Sequence, residues 1–323
     1  TVWRSSARRR ASRTTLPRLG GYQISGRELP YQETRSTAST SVDVPIRSAF
    51  VDQNVSLSYG ATVFHTRLPI PDDLDPESPV TQKPEDGFLS EVRFSYGLNT
   101  SEGGVNAAGS KRGFSLRVGA SMADDALGST QSLYAFDFGA SAYLTMPWPG
   151  EQTLAARASG AIAAGAYARR GIYFVGGYDL ANASELDLLI NGVYSGAFVL
   201  RGYPPGAYSG SAFLLGTLEY RAPVWIPNWG PSTLPLFWRR LDAAAFIDYG
   251  GAFEELDLED TEAFAKGDLL HIPGLHTAIG LELWFGLTLA HRIDTNFKLG
   301  YAYGTSREAA KDGQFYFLAS SAF

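Results

Sequence analysis

A membrane-spanning antiparallel β-barrel is the fold class this sequence predicts, and three observations predict it. Strand-length segments alternate apolar and polar residues with period two through most of the chain. The polar face of those segments carries charge of both signs at mid-strand positions. The chain closes on an aromatic segment, "GQFYFLASSAF", whose last residue is Phe323. Composition agrees: 323 residues include 35 Gly, 19 Phe, 17 Tyr and 6 Trp, at a mean hydropathy of only −0.10. A chain rich in glycine and aromatics without being hydrophobic overall suits a β-barrel more than a helical protein. No stretch approaches the roughly 20 apolar residues of a membrane-spanning helix.

The elements follow in order. Residues 1–36 open with "TVWRSSARRRASRTTLPRLGG", basic but with no apolar core, so they do not read as a signal peptide. They are a basic N-terminal segment or partial strands, and the arginine run is either a polar strand or linker, or a contact for phosphate or anionic lipid. Residues 37–323 read as the barrel. "STASTSVDVPI" begins the strands, and in "VDQNVSLSYGATVFHT" the odd positions Val55, Leu57, Tyr59 and Val63 are apolar while most even ones are polar. Phe88, Val92, Phe94, Tyr96 and Leu98 share one face of the next segment, with Glu91 and Arg93 opposite. "GFSLRVGASM" and "YAFDFGASAYLTM" repeat the pattern, and "TLAARASGAIAA" is an alanine-rich, weaker instance. Then come "SAFLLGTLEYRAPV", "LDAAAFIDYG", "LHTAIGLELWFGLTL", "RIDTNFKLGYAY" and the closing segment, about twelve strands in all. Turn-forming clusters separate them. Short links such as "PWPGEQ" alternate with long ones, as in membrane barrels with tight turns at one end. "LEDTEAFAKGDLLHI" reads as a short helix inside a loop.

Alternation alone does not say which face meets solvent. A soluble barrel hides its apolar face, whereas a membrane barrel turns it to lipid. A closed ring of about twelve strands leaves a lumen too wide for one layer of apolar side chains to fill. Glu91, Arg93, Arg117, Asp137, Arg157, Glu219, Asp248, Glu282, Asp294 and Lys298 all fall on the polar face, where a hydrated interior lets them pair. The apolar face is therefore expected outside.

"VLRGYPPGAYSG" sets one arginine among glycines, prolines and tyrosines between two strands. "FVGGYDL", "LRGYPPGAYSG", "GTLEYRAPVW", "AAAFIDYGGAF" and the closing strands ending in Phe together resemble the BamA-like superfamily, the bacterial surface antigen barrels of the Gram-negative outer membrane. The resemblance covers roughly residues 85–323. It implies sixteen strands, of which this chain supplies about twelve, and an inward-folded loop around residues 171–210. It also implies that Arg201, Gly202 and Tyr203 form the loop's motif, held by Glu219 and Asp248. Phe315, Phe317 and Phe323 would form the C-terminal assembly signal. Parity supports the clamp independently: Glu219 lies on the polar face between Leu218 and Tyr220, and Asp248 between Ile247 and Tyr249. A guanidinium reaching two carboxylates forms charge-assisted hydrogen bonds.

The implied function is protein insertion or translocation, or service as the membrane anchor or conduit of a larger envelope complex. Its partners would be outer-membrane lipid and lipopolysaccharide, and other envelope chains or an N-terminal part of the same protein. The sequence departs from the family in lacking client-recruiting periplasmic domains and in the two dozen residues between "VGG" and "RGY". A passive pore and a barrel hydrolase are the alternatives. Mild acidity, 33 Asp and Glu against 27 Lys and Arg, argues against a nucleic-acid partner. The absence of cysteine excludes disulfides and thiolate chemistry. No nucleophile elbow or phosphate loop occurs, and no cofactor or metal site is expected. His271 and His276 in "HIPGLH" read as an incidental pair, and the carboxylates of residues 253–264 as a solvated acidic loop.

Overall fold

The computed structural model describes residues 4–15, 22–24, 27–29, 32–67, 86–103, 109–148, 150–166, 173–178, 199–231, 234–253, 274–290, 293–306 and 312–322. Twelve long strands form one antiparallel sheet in which sequence neighbours pair. They are β1 (Arg4–Thr15), β2 (Gln32–Arg47), β3 (Asp52–Arg67), β4 (Gly87–Asn99), β5 (Ser110–Ala123) and β6 (Leu133–Thr145). β7 (Thr153–Ala164), β8 (Ala212–Trp225), β9 (Leu236–Phe253), β10 (His276–Leu289), β11 (Ile293–Gly304) and β12 (Gln314–Ala322) complete it. The two-residue strand Glu102–Gly103 adds to β5 off this path. Among the described residues β1 and β12 do not pair with each other. The basic segment at the start thus contributes strand β1, paired with β2 from Arg4↔Asp43 to Thr15↔Gln32. Phe323, His271 and the acidic loop with its expected helix lie outside the described residues.

The up-and-down order sends alternate connections to opposite ends. The links 48–51, 100–109, 146–152, 226–235 and 290–292 lie at one end. The other end holds 16–31, 68–86, 124–132, 165–211, 254–275 and 305–313, among them every link longer than those. Tryptophans mark the short-link end: Trp148, Trp225 and Trp229 are exposed there, and Trp229 bridges Trp238 through the backbone. Such a belt is where amphipathic rings meet a membrane interface.

Neighbouring residues settle which face is outside. Leu281 is 65% exposed while Glu282 is 2% exposed, and Ile247 is 50% exposed beside Asp248 at 1%. The same inversion holds for Leu57, Phe94, Phe136, Leu218, Leu299 and Phe317, all exposed. Full burial of such a side chain is worth about 1.5–3 kcal/mol, and a face of half-exposed ones facing water forfeits a share of that at every position, so this face suits an apolar medium. The sheet curls about its charged face. A Cβ on Gly109, at the head of β5, would sit 2.8 Å from Arg221 Nη1 of β8 and 3.9 Å from the Trp284 ring of β10.

Candidate functional site

The connection between β7 and β8 returns into the curl. Tyr173–Val175 pairs antiparallel with Tyr208–Gly210, and Leu200 N donates to Gly176 O at 2.7 Å. Gly177 N donates to Tyr203 O at 3.0 Å. Glycine is required at 176 and 177 because any Cβ would run into the carbonyl oxygens of Pro204 and Tyr203 respectively. Gly202 has φ +84°, and a Cβ there would lie 2.8 Å from Gly304 N and 3.0 Å from Tyr303 C. Both the left-handed backbone and the close approach to β11 therefore demand glycine. Val175, Leu200 and Tyr203 pack with Phe213, Leu215 and Ala278 into a small apolar core on the inner face. Tyr203 is fully buried, donates to Thr277 O at 2.8 Å and accepts from Ser306 N at 3.4 Å. Tyr208 stacks on His276, with ring centroids 4.1 Å apart.

This scaffold delivers Arg201. Its Nε donates to Asp248 Oδ2 and its Nη2 to Asp248 Oδ1, both at 2.7 Å, a two-pronged fork. Its Nη1 donates to Glu282 Oε1 at 2.7 Å and lies 3.6 Å from Glu219 Oε2. The guanidinium carbon lies 3.3 Å from the centroid of the Phe246 ring, an aromatic stack that suits arginine. Phe246 lies flat because its cross-strand neighbour is Gly280, where a Cβ would strike the ring. Tyr316 lies over Gly300 in the same way, and donates to Glu282 Oε1 at 2.6 Å.

The carboxylates have further donors. Asp248 accepts from Thr217 Oγ1 at 2.9 Å, and Glu282 from Trp284 Nε1 at 2.6 Å. Glu219 pairs with Arg221 and lies 3.7 Å from Arg157 Nη2. Trp284 lies between two cations, Arg221 at 4.5 Å and Lys298 at 3.9 Å from its ring centroid. Buried charges that are paired and fully hydrogen-bonded hold a conformation; one left alone would be costly.

Of the residues expected in the site, Arg201, Gly202, Tyr203, Glu219 and Asp248 come together. Glu282 was missing from that set. Its parity placed it on the charged face, but parity carries no information about height along a neighbouring strand. Phe315 and Phe317 lie on the exposed face of β12, away from this cluster. Among the described residues, no three His, Cys, Asp or Glu side chains form a metal-binding group.

The sequence matches the Omp85 superfamily domain over residues 4–323. The chain belongs to the Omp85 superfamily. No curated protein sequence matches it. Among solved structures it resembles BamA from Haemophilus ducreyi lacking POTRA domains 1–3, with a TM-score of 0.56 at 13% identity, over 91% of this chain and 55% of that one. It also resembles CdiB from Escherichia coli, with a TM-score of 0.52 at 11% identity, over 99% of this chain and 50% of that one. At such identities the likeness is one of fold. The Omp85 chain described here spans about half the length of either structure. Its fold class is the all-β transmembrane barrel.

Proposed function

We propose that this Omp85 barrel handles polypeptide at the Gram-negative outer membrane: it inserts or translocates other proteins, or serves as the membrane-embedded conduit of a larger envelope complex. The observation that carries this reading is the Arg201 cluster. A solute pore has no need of a connection whose described residues 173–178 and 199–210 turn into its lumen and are fastened by a buried guanidinium to three strands. A barrel that must open for a large client, and stay shut otherwise, needs such a fastened plug. On this reading Arg201, Gly202 and Tyr203 are the plug's anchor, and Asp248, Glu282 and Glu219 its seat. Other envelope chains, or a further part of the same protein, would present the client. Lipid and lipopolysaccharide would contact the apolar face.

Reconstitution tests this. Liposomes carrying the chain should accelerate membrane insertion of a urea-unfolded outer-membrane barrel relative to empty liposomes, and should retain an entrapped disaccharide. Release of the sugar with no acceleration would contradict the proposal and favour the passive pore.

A further inference from the structure

We infer that the lumen beside the plug holds a binding chamber for a phosphate-bearing ligand, framed by Arg117 and Arg157. A cavity of about 1020 Å³ opens on the inner face of β2–β8. Among the described residues its charged lining is unbalanced, with Arg47, Arg93, Arg117 and Arg157 against Asp52 and Asp137. Arg93 is neutralised by Asp137. Arg117 makes no hydrogen bond or ion pair among the described residues, and its guanidinium is open to the cavity. The Arg157 side chain also lines the cavity and is 38% exposed, with Nη2 3.7 Å from Glu219 Oε2. Its guanidinium keeps donors for a ligand oxygen.

The floor around Arg117 is cleared. Register places Gly97 and Gly139 on either side of Arg117, and a Cβ on either glycine would meet nothing within 4 Å. Strand interiors lose stability with glycine, so two beside one arginine keep space open rather than relieve crowding. Ser141, opposite Arg157 on β6, shares a 2.7 Å hydrogen bond with Ser115. One hydroxyl of that pair keeps its proton for a ligand. Donors thus converge from β5 and β7 across β6. A phosphate group carries close to two negative charges and at least three acceptor oxygens, so one group matches two guanidiniums in charge, where a single carboxylate matches one. The volume exceeds a bare phosphate and fits a phosphorylated organic molecule.

Phosphate groups come either from a free solute or from the phosphorylated head of an outer-membrane glycolipid, and two titrations separate them. The purified full chain in zwitterionic detergent is titrated calorimetrically with inorganic pyrophosphate, and separately with diphosphorylated lipid A in mixed micelles. Saturable binding of at least one is expected. Arg117→Gln should weaken it about tenfold or more, the equivalent of one charge-assisted contact. Gly139→Val, which fills the floor, should abolish it. Arg112→Gln should change nothing, because Arg112 is exposed and pairs with Glu102 outside the cavity. The Arg117 side chain makes no hydrogen bond or ion pair among the described residues, so its variant should keep the wild-type heat-modifiable band. Binding of lipid A alone, lost in Arg117→Gln, would identify the glycolipid as the source. No saturable binding of either probe, or equal binding by the Arg117 and Gly139 variants, would overturn the inference. Polypeptide handling could fail with this result intact, and the reverse.

Discussion

Asp248 takes two prongs of the Arg201 guanidinium and Glu282 a third, so removing the arginine strands two buried carboxylates at once. Breaking one partner out of a buried pair costs about 3–5 kcal/mol. Arg201→Ala should therefore lower the temperature at which the heat-modifiable band converts. Arg201→Lys should recover only part of the loss, since an ammonium cannot reproduce the fork. An unchanged conversion temperature in Arg201→Ala would show that the cluster carries no stability. Gly202→Val should also loosen the loop, because φ +84° and the nearby backbone of Tyr303 and Gly304 exclude a branched side chain. Strain of this kind costs about 1–3 kcal/mol. Period two made legible that Asp248 and Glu219 face inward; their choice as partners of Arg201 came from the resemblance to the BamA-like superfamily. The contact of Glu282 was not legible, because it depends on how β9 and β10 are staggered. Glu219 sits farther from Arg201, with Arg221 two residues along its own strand and Arg157 across from it competing for its oxygens.

The loop acts as one element, and its seating can be read from exposure. Tyr203 is fully buried while Asp312, in another connection at the same end, is exposed. In this cysteine-free chain, Tyr203→Cys should resist a bulky, membrane-impermeant thiol reagent and Asp312→Cys should react quickly. Combining Tyr203→Cys with Arg201→Ala should raise reactivity toward that of Asp312→Cys; equal fast labelling of both single variants would show a loop open to solvent. The long strands were legible because alternation runs through many residues of each. The three-residue strands Tyr173–Val175 and Tyr208–Gly210 were not, since three residues display no period. The first strand, Arg4–Thr15, was legible only as a polar strand or linker, because a run of Arg, Ser and Thr has no apolar face to alternate.

For the molecule as a whole, the fold rests on one reversal, apolar side chains outside and ion pairs inside. That reversal was legible in the sequence only through an indirect argument, that so many strands cannot fill their own interior with one apolar layer. Strand length agrees with a spanning sheet: the 18 residues of β9 exceed the roughly 9–11 that cross the hydrocarbon core. The most direct test is a nitroxide scan along β10 in liposomes, comparing collisions with oxygen, which dissolves in lipid, and with a water-soluble nickel chelate. Labels at Ile279, Leu281 and Leu283 should collide with oxygen and be shielded from nickel, whereas labels at Gly286 and Thr288, on the opposite parity, should lose oxygen access, giving a period of two. The opposite phase, or nickel access at all five positions, would contradict a lipid-facing apolar surface and with it the membrane barrel.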